Sequence, residues 1–219
     1  MEYSTVVLTA PRRVNLLKRT LASLEQAGWP NWIVTEDKNL VGQWYAWYRA
    51  LDRALSEKPD ADAYFVLEDD VVFCNRLREY LDFIIWPEDE DNVALVSPYL
   101  PAVYMLPYTG PPCKNWRFNV QDRGHHLVGA LSWIIPPKSA HAIMSELANL
   151  KTKKGADWIV GQWAQNSGRT VWYHNPSLSQ HTGNGNSVCG HNEFGKIRMA
   201  GDFIGETNVP EPLKGRKCE

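Results

Sequence analysis

The residues with most chemical potential form one acidic run, Phe65-Val66-Leu67-Glu68-Asp69-Asp70-Val71. Three consecutive carboxylates repel one another unless a cation or solvent offsets the charge. Carboxylate oxygens suit hard divalent ions such as Mg²⁺ and Mn²⁺. The apolar residues on both sides hold these acids at the end of a buried element rather than in free solvent. The same run also reads as a solvated acidic turn. A second acid, Asp157 in Gly155-Ala156-Asp157-Trp158, stands at the start of a helical pattern. Free N–H groups and the helix dipole favour a carboxylate there, so Asp157 reads as an ordinary cap or as a proton acceptor. His181, in Ser179-Gln180-His181-Thr182-Gly183, could ligate a metal when neutral or bind phosphate when charged. Gly183 and Gly185 would let backbone approach a phosphate closely.

Cationic and aromatic residues complete the set. Arg12 and Arg13 follow a strand end, where a guanidinium pairs with phosphate or stacks on a base, and one of the two is expected to face solvent. Glu36-Asp37 closes a strand, where Asp37 could accept from a base N–H or ribose hydroxyls; a solvated turn fits equally. Gly42 would ease close backbone approach. Trp133 and Trp158 are candidates for a sugar platform, whereas Trp44, Trp47 and Trp163 recur at helical spacing and read as core. His125 and His126 precede a strand and could reach an acceptor or metal. His174 and His191 read as structural or exposed.

The elements that must position these groups alternate. Residues 3–9 are a β-branched strand, 13–27 a helix with Leu16, Leu17, Thr20, Leu21 and Leu24 on one face, and 32–35 a strand. A helix over 42–56 follows, then a strand at 63–67 that runs into the acids. Asn75 caps a helix to residue 85, and 93–97 is a fourth strand. This βαβα order predicts an α/β fold: a three-layer α/β/α sandwich around a mostly parallel sheet, with ligands outside the carboxyl ends of the strands. Residues 98–122 have no clear period and read as an irregular loop or hairpin excursion. Beyond them we expect a strand at 127–135, helices at 138–150 and 155–167, and a last strand at 170–173. A single domain is expected over 1–205, with a mobile tail at 206–219.

Composition narrows the classes. The 219 residues are 44% hydrophobic and 22% charged, which excludes dominant disorder. The net charge of −2 supplies no global field for nucleic acid or anionic membrane. No apolar run reaches the ~18–20 residues of a transmembrane helix. The first residues enter a strand at once, without the charged and apolar regions of a signal peptide, so the cytoplasm is expected. The four cysteines form no C-x-x-C pair, which argues against zinc or thioredoxin chemistry. The 10 Trp, 9 Tyr and 6 Phe serve either a bulky core or a site that stacks flat ligands.

Taken in order, these motifs resemble the GT-A glycosyltransferases, in a small, family-2/25-like form with an EDD variant of the D-x-D motif. The resemblance spans about residues 3–190. It rests on Thr9-Ala10-Pro11-Arg12-Arg13, the Leu-rich helix, Leu67-Glu68-Asp69-Asp70, Gly155-Ala156-Asp157-Trp158, and Pro176-Ser177-Leu178-Ser179-Gln180-His181-Thr182-Gly183. It implies a transferase that moves a sugar from a nucleoside-diphosphate sugar to an acceptor hydroxyl, with uridine the commonest base among relatives. It implies Mn²⁺ or Mg²⁺ held by Asp70 with Glu68 and His181, and a donor met by Thr9, Arg12, Arg13, Asp37, Gly42 and Asp69. Asp157 becomes the catalytic base of an inverting reaction. The acceptor is open among a saccharide, a lipid-linked sugar, a protein side chain and a hydroxylated nucleobase. The segment 99–118, with Lys114 and Arg117, could stack a sugar or a base. Two rivals remain. A nucleotidyltransferase shares the β/α core, but the turn after the first strand lacks its glycines. A non-catalytic sugar binder would need neither the acids nor Asp157.

Overall fold

The computed structural model describes residues 1–102, 116–118, 127–183 and 199–211. The expected excursion at 98–122 lies largely outside these residues, as do Lys114, His125, His126, Gly185 and His191, and the Arg117 side chain is not described. Nine strands and five α-helices are found among the described residues.

Strand β1 (Tyr3–Thr9) is buried along its whole length. Its side chains alternate: Val6 and Leu8 enter one core, Tyr3 and Val7 the other. Helix α1 (Val14–Gln26) follows, then β2 (Ile33–Glu36), α2 (Gln43–Glu57) and β3 (Ala63–Glu68). Both β2 and β3 pair with β1 in parallel. Beyond a two-residue turn lie β4 (Val71–Phe73) and α3 (Leu77–Ile84). Next come β5 (Val93–Ser97), β6 (Trp116–Phe118) and β7 (Ser132–Ile135). Helices α4 (Pro137–Glu146) and α5 (Ala156–Asn166) lead to β8 (Thr170–His174) and β9 (Ser179–His181).

Seven strands form the central sheet in the order β2-β1-β3-β7-β5-β8-β6. Strands β1, β2, β3, β5 and β8 share one direction, while β7 and β6 run against them. The sheet is therefore mostly parallel, as the sequence implies. Helices α2, α4 and α5 cover one face, packed on Tyr64, Val66, Trp133 and Tyr173. Helices α1 and α3 cover the other, over Val7, Phe65, Leu67 and Ile134. This is the expected α/β/α sandwich.

The structure departs from the sequence reading in three places. The expected strand at 127–135 shrinks to Ser132–Ile135. Gly129 adopts a left-handed φ of 76°, and its N–H turns to the Asp157 carboxylate instead of a ladder partner. Helix α3 starts beyond Arg76, not at an Asn75 cap: Arg76, with a left-handed φ of 56°, holds the cap position, and the Asn75 N–H donates to the Asn208 carbonyl at 2.9 Å. A second sheet, β4 with antiparallel β9, pairs Val71 with His181. Of the tail expected from residue 206, residues 206–211 include Glu206, paired with Arg19 at 2.9 Å, and Asn208; residues 212–219 lie outside the described residues.

Candidate active site

Because β1, β2 and β3 are parallel, Thr9, Glu36 and Glu68 end on one edge of the sheet. Helix α5 leads into β8 and starts at that same edge, at Asp157. The site is built there.

The turn Asp69-Asp70 is fixed from below by Thr20 of α1. Its Oγ1 lies 2.8 Å from both the Asp69 and Val71 carbonyls and accepts from the Val71 N–H at 3.2 Å. The pinned turn sends its two carboxylates inward, leaving Asp69 2% and Asp70 5% exposed. Asp69 is held on both oxygens: Thr9 Oγ1 donates to Oδ2, and Arg13 Nε lies 2.8 Å from Oδ1. Arg13 Nη2 reaches on to Asp70 Oδ2. The same oxygen lies 3.2 Å from His181 Nε2. The β4–β9 ladder makes that meeting possible, since it sets His181 against Val71 and lets the Thr182 N–H donate to the Asp70 carbonyl at 2.7 Å. Among the described residues, Asp70 Oδ1 and His181 Nδ1 are buried without a hydrogen-bond partner.

Burial and mutual repulsion set the charges. Glu68 is pushed up to about 7, by burial first and then by the charge of Asp70; a hydrogen bond from Gln43 Nε2 to Oε1 at 3.0 Å opposes this. Burial likewise raises Asp69 to about 6, against Thr9 and Arg13. Burial also works against ionised Asp70, but His181 and Arg13 outweigh it and hold this carboxyl below its ordinary range. Around neutral pH Asp70 is the firmly ionised acid, and the cluster favours added positive charge.

The expected metal set was Asp70, Glu68 and His181. Among the described residues no group of three His, Cys, Asp or Glu converges to hold an ion. Glu68 is drawn instead to Gln43. Asp70 and His181 do meet the requirements of two ligands. Adjacent ligands about 2.1 Å from an octahedral ion lie about 3 Å apart, close to the observed 3.2 Å. Asp70 Oδ1 has no partner among the described residues, and Gly183 brings only backbone up to both groups, since a Cβ would stand 2.7 Å from Asp70 Oδ2 and 3.0 Å from His181 Nε2. The residues present fit a divalent cation with two protein ligands, its remaining positions open to oxygens of a bound molecule.

The other expected residues divide. Arg12 is exposed, with φ 70°, and Arg13 alone of the pair enters the cluster. Asp37 is half-buried; its N–H donates to the Thr9 carbonyl at 2.9 Å and its Oδ1 accepts from the Val41 N–H at 3.2 Å. Gly42, with φ 108°, opens α2 and has open space where a Cβ would lie. Asp157 accepts from the Trp158 N–H at 2.8 Å and the Gly129 N–H at 3.1 Å. Trp158 is half-buried with Lys154 Nζ 2.9 Å from its ring centroid. Trp133 cannot be a sugar platform. It is fully buried, its indole N–H donates to the Gly129 carbonyl at 3.1 Å, and its ring meets Trp47 edge-on.

Gln43 and Gly155 take roles that the sequence reading does not assign to them. A Cβ on Gly155 would stand 2.6 Å from both Gln43 Oε1 and Asp157 Oδ1. Glycine here lets Gln43 link the acid cluster to the start of α5. The only sequence signal was Gln43's place directly after Gly42.

No protein-family model and no curated protein sequence matches the chain. Solved structures do match in shape. A glycosyltransferase involved in glycosylation of the major capsid of PBCV-1 aligns at TM-score 0.51 and 15% identity, over 88% of this chain and 99% of that one. The galactosyltransferase LgtC, in complex with donor and acceptor sugar analogues, aligns at TM-score 0.44 and 14% identity, over 96% and 99%. The inositol-1-phosphate CTP transferase from T. maritima aligns at TM-score 0.40 and 14% identity, over 80% and 70%. The first of these likenesses, with the topology above, defines the class: a GT-A-type α/β fold. No helix among the described residues is long and apolar enough to cross a membrane.

Proposed function

We propose that this protein is a glycosyltransferase that moves a sugar from a nucleoside-diphosphate sugar, with a UDP-sugar the first donor to test, to an acceptor hydroxyl with inversion. The observation that carries this reading is the Asp70–His181 pair at the carboxyl edge of β3, with a buried oxygen that has no partner among the described residues and with Gly183 packed so closely that a Cβ would press on both groups. The shared fold with the PBCV-1 glycosyltransferase supports it.

Each residue then has a task. Asp70 and His181 would hold Mn²⁺ or Mg²⁺, which supplies charge neutralisation for the departing diphosphate. Arg13, already beside both aspartates, adds a second positive charge on that side. Asp69, against which Arg13 Nε and Thr9 Oγ1 both lie, orients Arg13. The Thr9 backbone, Asp37 and the Gly42 turn line the approach of the nucleoside, and exposed Arg12 can close over it. Asp157, fixed by two backbone N–H groups, takes the proton of the acceptor hydroxyl as its oxygen attacks the anomeric carbon. The glycosidic bond forms as the sugar–phosphate bond breaks, and the nucleoside diphosphate leaves with the bonding electron pair.

The test is thermal stability against nucleoside diphosphates and their sugars, with and without Mn²⁺. A ligand at about 100 times its dissociation constant stabilises by about 2.7 kcal/mol. We expect Mn²⁺-dependent stabilisation by one nucleotide, abolished in Asp70→Ala. Asp157→Asn should keep that stabilisation and lose at least about a hundredfold in transfer. No shift with any nucleotide would reject the reading.

A further inference from the structure

One carboxylate oxygen of the acid cluster is wanted by several groups at once. Asp70 Oδ2 accepts from Arg13 Nη2 and lies 3.2 Å from His181 Nε2. Because it stands beside that imidazole nitrogen, it is also the oxygen that a cation shared by Asp70 and His181 would use. A carboxylate oxygen offers about two lone-pair sites, and Arg13 and His181 already face both. Yet the grip of Arg13 is incomplete. Its Nε lies 2.8 Å from Asp69 Oδ1 without the alignment of a hydrogen bond. Among the described residues, Arg13 Nε, Asp70 Oδ1 and His181 Nδ1 are all buried and lack hydrogen-bond partners. Buried orphans are rare, and their gathering around one ion pair marks that contact as open to replacement. The helix does not explain the guanidinium either. Arg13 is the N-cap of α1, whose first turn holds no acid, and a cation there opposes the helix dipole. The two aspartates hold it in place.

We propose that Arg13 is a built-in counter-ion that competes with a divalent cation for Asp70. The cation displaces the guanidinium from Oδ2, and the freed group turns to an anionic part of the bound ligand, such as a diphosphate. The opposite role is equally well defined. A partner that only held Asp70 in position would support the metal, and its loss would weaken metal binding about 10–100-fold. A guanidinium differs from such a partner because it keeps a full positive charge beside the incoming ion. In a buried cluster that repulsion is poorly screened. The sign of the change on removing Arg13 therefore separates competitor from support. The turn towards a diphosphate rests on the transferase reading, whereas the competition needs no turnover.

The experiment is electron paramagnetic resonance titration of Mn²⁺ into the full chain, as wild type, Arg13→Gln and Arg12→Gln. We expect Arg13→Gln to bind Mn²⁺ at least about tenfold more tightly than wild type. Arg12 is exposed, and the ion pairs to the two aspartates belong to Arg13 and His181. Arg12→Gln removes the same charge one residue away and should change the affinity by less than about threefold. In the unaltered protein, nuclear magnetic resonance follows the Arg13 Nε–H signal, identified by its loss in Arg13→Lys. Saturating Mg²⁺ should move that signal towards the position of a solvated guanidinium, and this measurement decides the matter if Arg13→Gln does not fold. Unchanged or weaker Mn²⁺ binding in folded Arg13→Gln, equal tightening in Arg12→Gln, or an Arg13 signal unmoved at saturating Mg²⁺ would each overturn the proposal. Absence of Mn²⁺ binding in all three proteins would overturn it together with the metal role of Asp70. Tighter Mn²⁺ binding in Arg13→Gln, with no thermal shift from UDP in any of the proteins, would uphold the competition and remove the transferase reading.

Discussion

Gly183→Ala is the sharpest perturbation of the site, because it adds one methyl group where the structure has room for none. The new Cβ would stand 2.7 Å from Asp70 Oδ2, 2.8 Å from His181 Cε1 and 3.0 Å from His181 Nε2. Ordinary contact for such pairs begins near 3.5 Å, so the Asp70 oxygen must retreat by about 0.8 Å and the imidazole by about 0.7 Å. Both are side-chain ends, so rotation absorbs the clash and the fold should lose little stability. The ligand pair should lose its spacing, since metal–ligand distances tolerate only about 0.2 Å. Mutating a residue that holds metal ligands in place costs about 10–100-fold in metal affinity, or about 1.4–2.7 kcal/mol, and Gly183 is such a position. Electron paramagnetic resonance titration of Mn²⁺ reads this directly, with no substrate needed. The melting temperature serves as the control and should move by no more than a few degrees. Native Mn²⁺ affinity in a folded Gly183→Ala protein would refute the argument that Asp70 and His181 act as a spaced pair.

Three further outcomes are expected. His174 is 2% exposed, its Nε2 paired with the Tyr80 hydroxyl at 2.7 Å and its Nδ1 with the Pro176 carbonyl at 2.5 Å, and burial lowers its pKa to about 4. The unfolded chain therefore binds this proton from about pH 6.5 downward while the native chain refuses it. The associated stability is present above pH 6.5 and lost as pH falls towards 4, a loss of about 3 kcal/mol in all. An imidazole resonance that disappears in His174→Gln and titrates near 6.5 would contradict this. Thr20→Val removes the hydroxyl that fixes the Asp69–Val71 turn and leaves the Val71 N–H without that acceptor; urea denaturation should show a loss of about 1–3 kcal/mol. Trp133→Ala should destabilise by about 3–5 kcal/mol, as for a buried aromatic; weaker sugar binding at unchanged stability would instead restore a platform role.

What could be read in advance depended on how a residue's neighbours are chosen. Strands β1, β3 and β5 announced themselves because both faces are buried, so the chain there is an unbroken apolar run. Strands β4 and β9 gave no such signal. Each has three residues and its pairing partner is the other, far away in sequence. The reversed direction of β7 was equally silent, because alternation of side chains is the same in either direction. In the site, the acid run was legible from charge repulsion alone. The orientation of Glu68 towards Gln43 was not, since a glutamine at a helix start is commonplace. Trp133 shows the limit for aromatics: its sequence position was right for the edge, and only packing against Trp47 reveals that its face is taken.

The small β4–β9 ribbon also governs when the site comes into being. Asp70 and His181 are separated by roughly 110 positions of chain, yet they meet across a ladder of three residue pairs. During synthesis the acid turn emerges well ahead of His181, after its parallel neighbours β1 and β3. The imidazole arrives only after β8 has been made. A nascent chain thus carries an incomplete acid cluster until that imidazole is made, with Arg13 as its earlier cationic partner. The same short ribbon is the natural place for the finished protein to breathe. Three pairs cost little to open, so amide protons of residues 71–73 and 179–181 should exchange ahead of those in the central sheet.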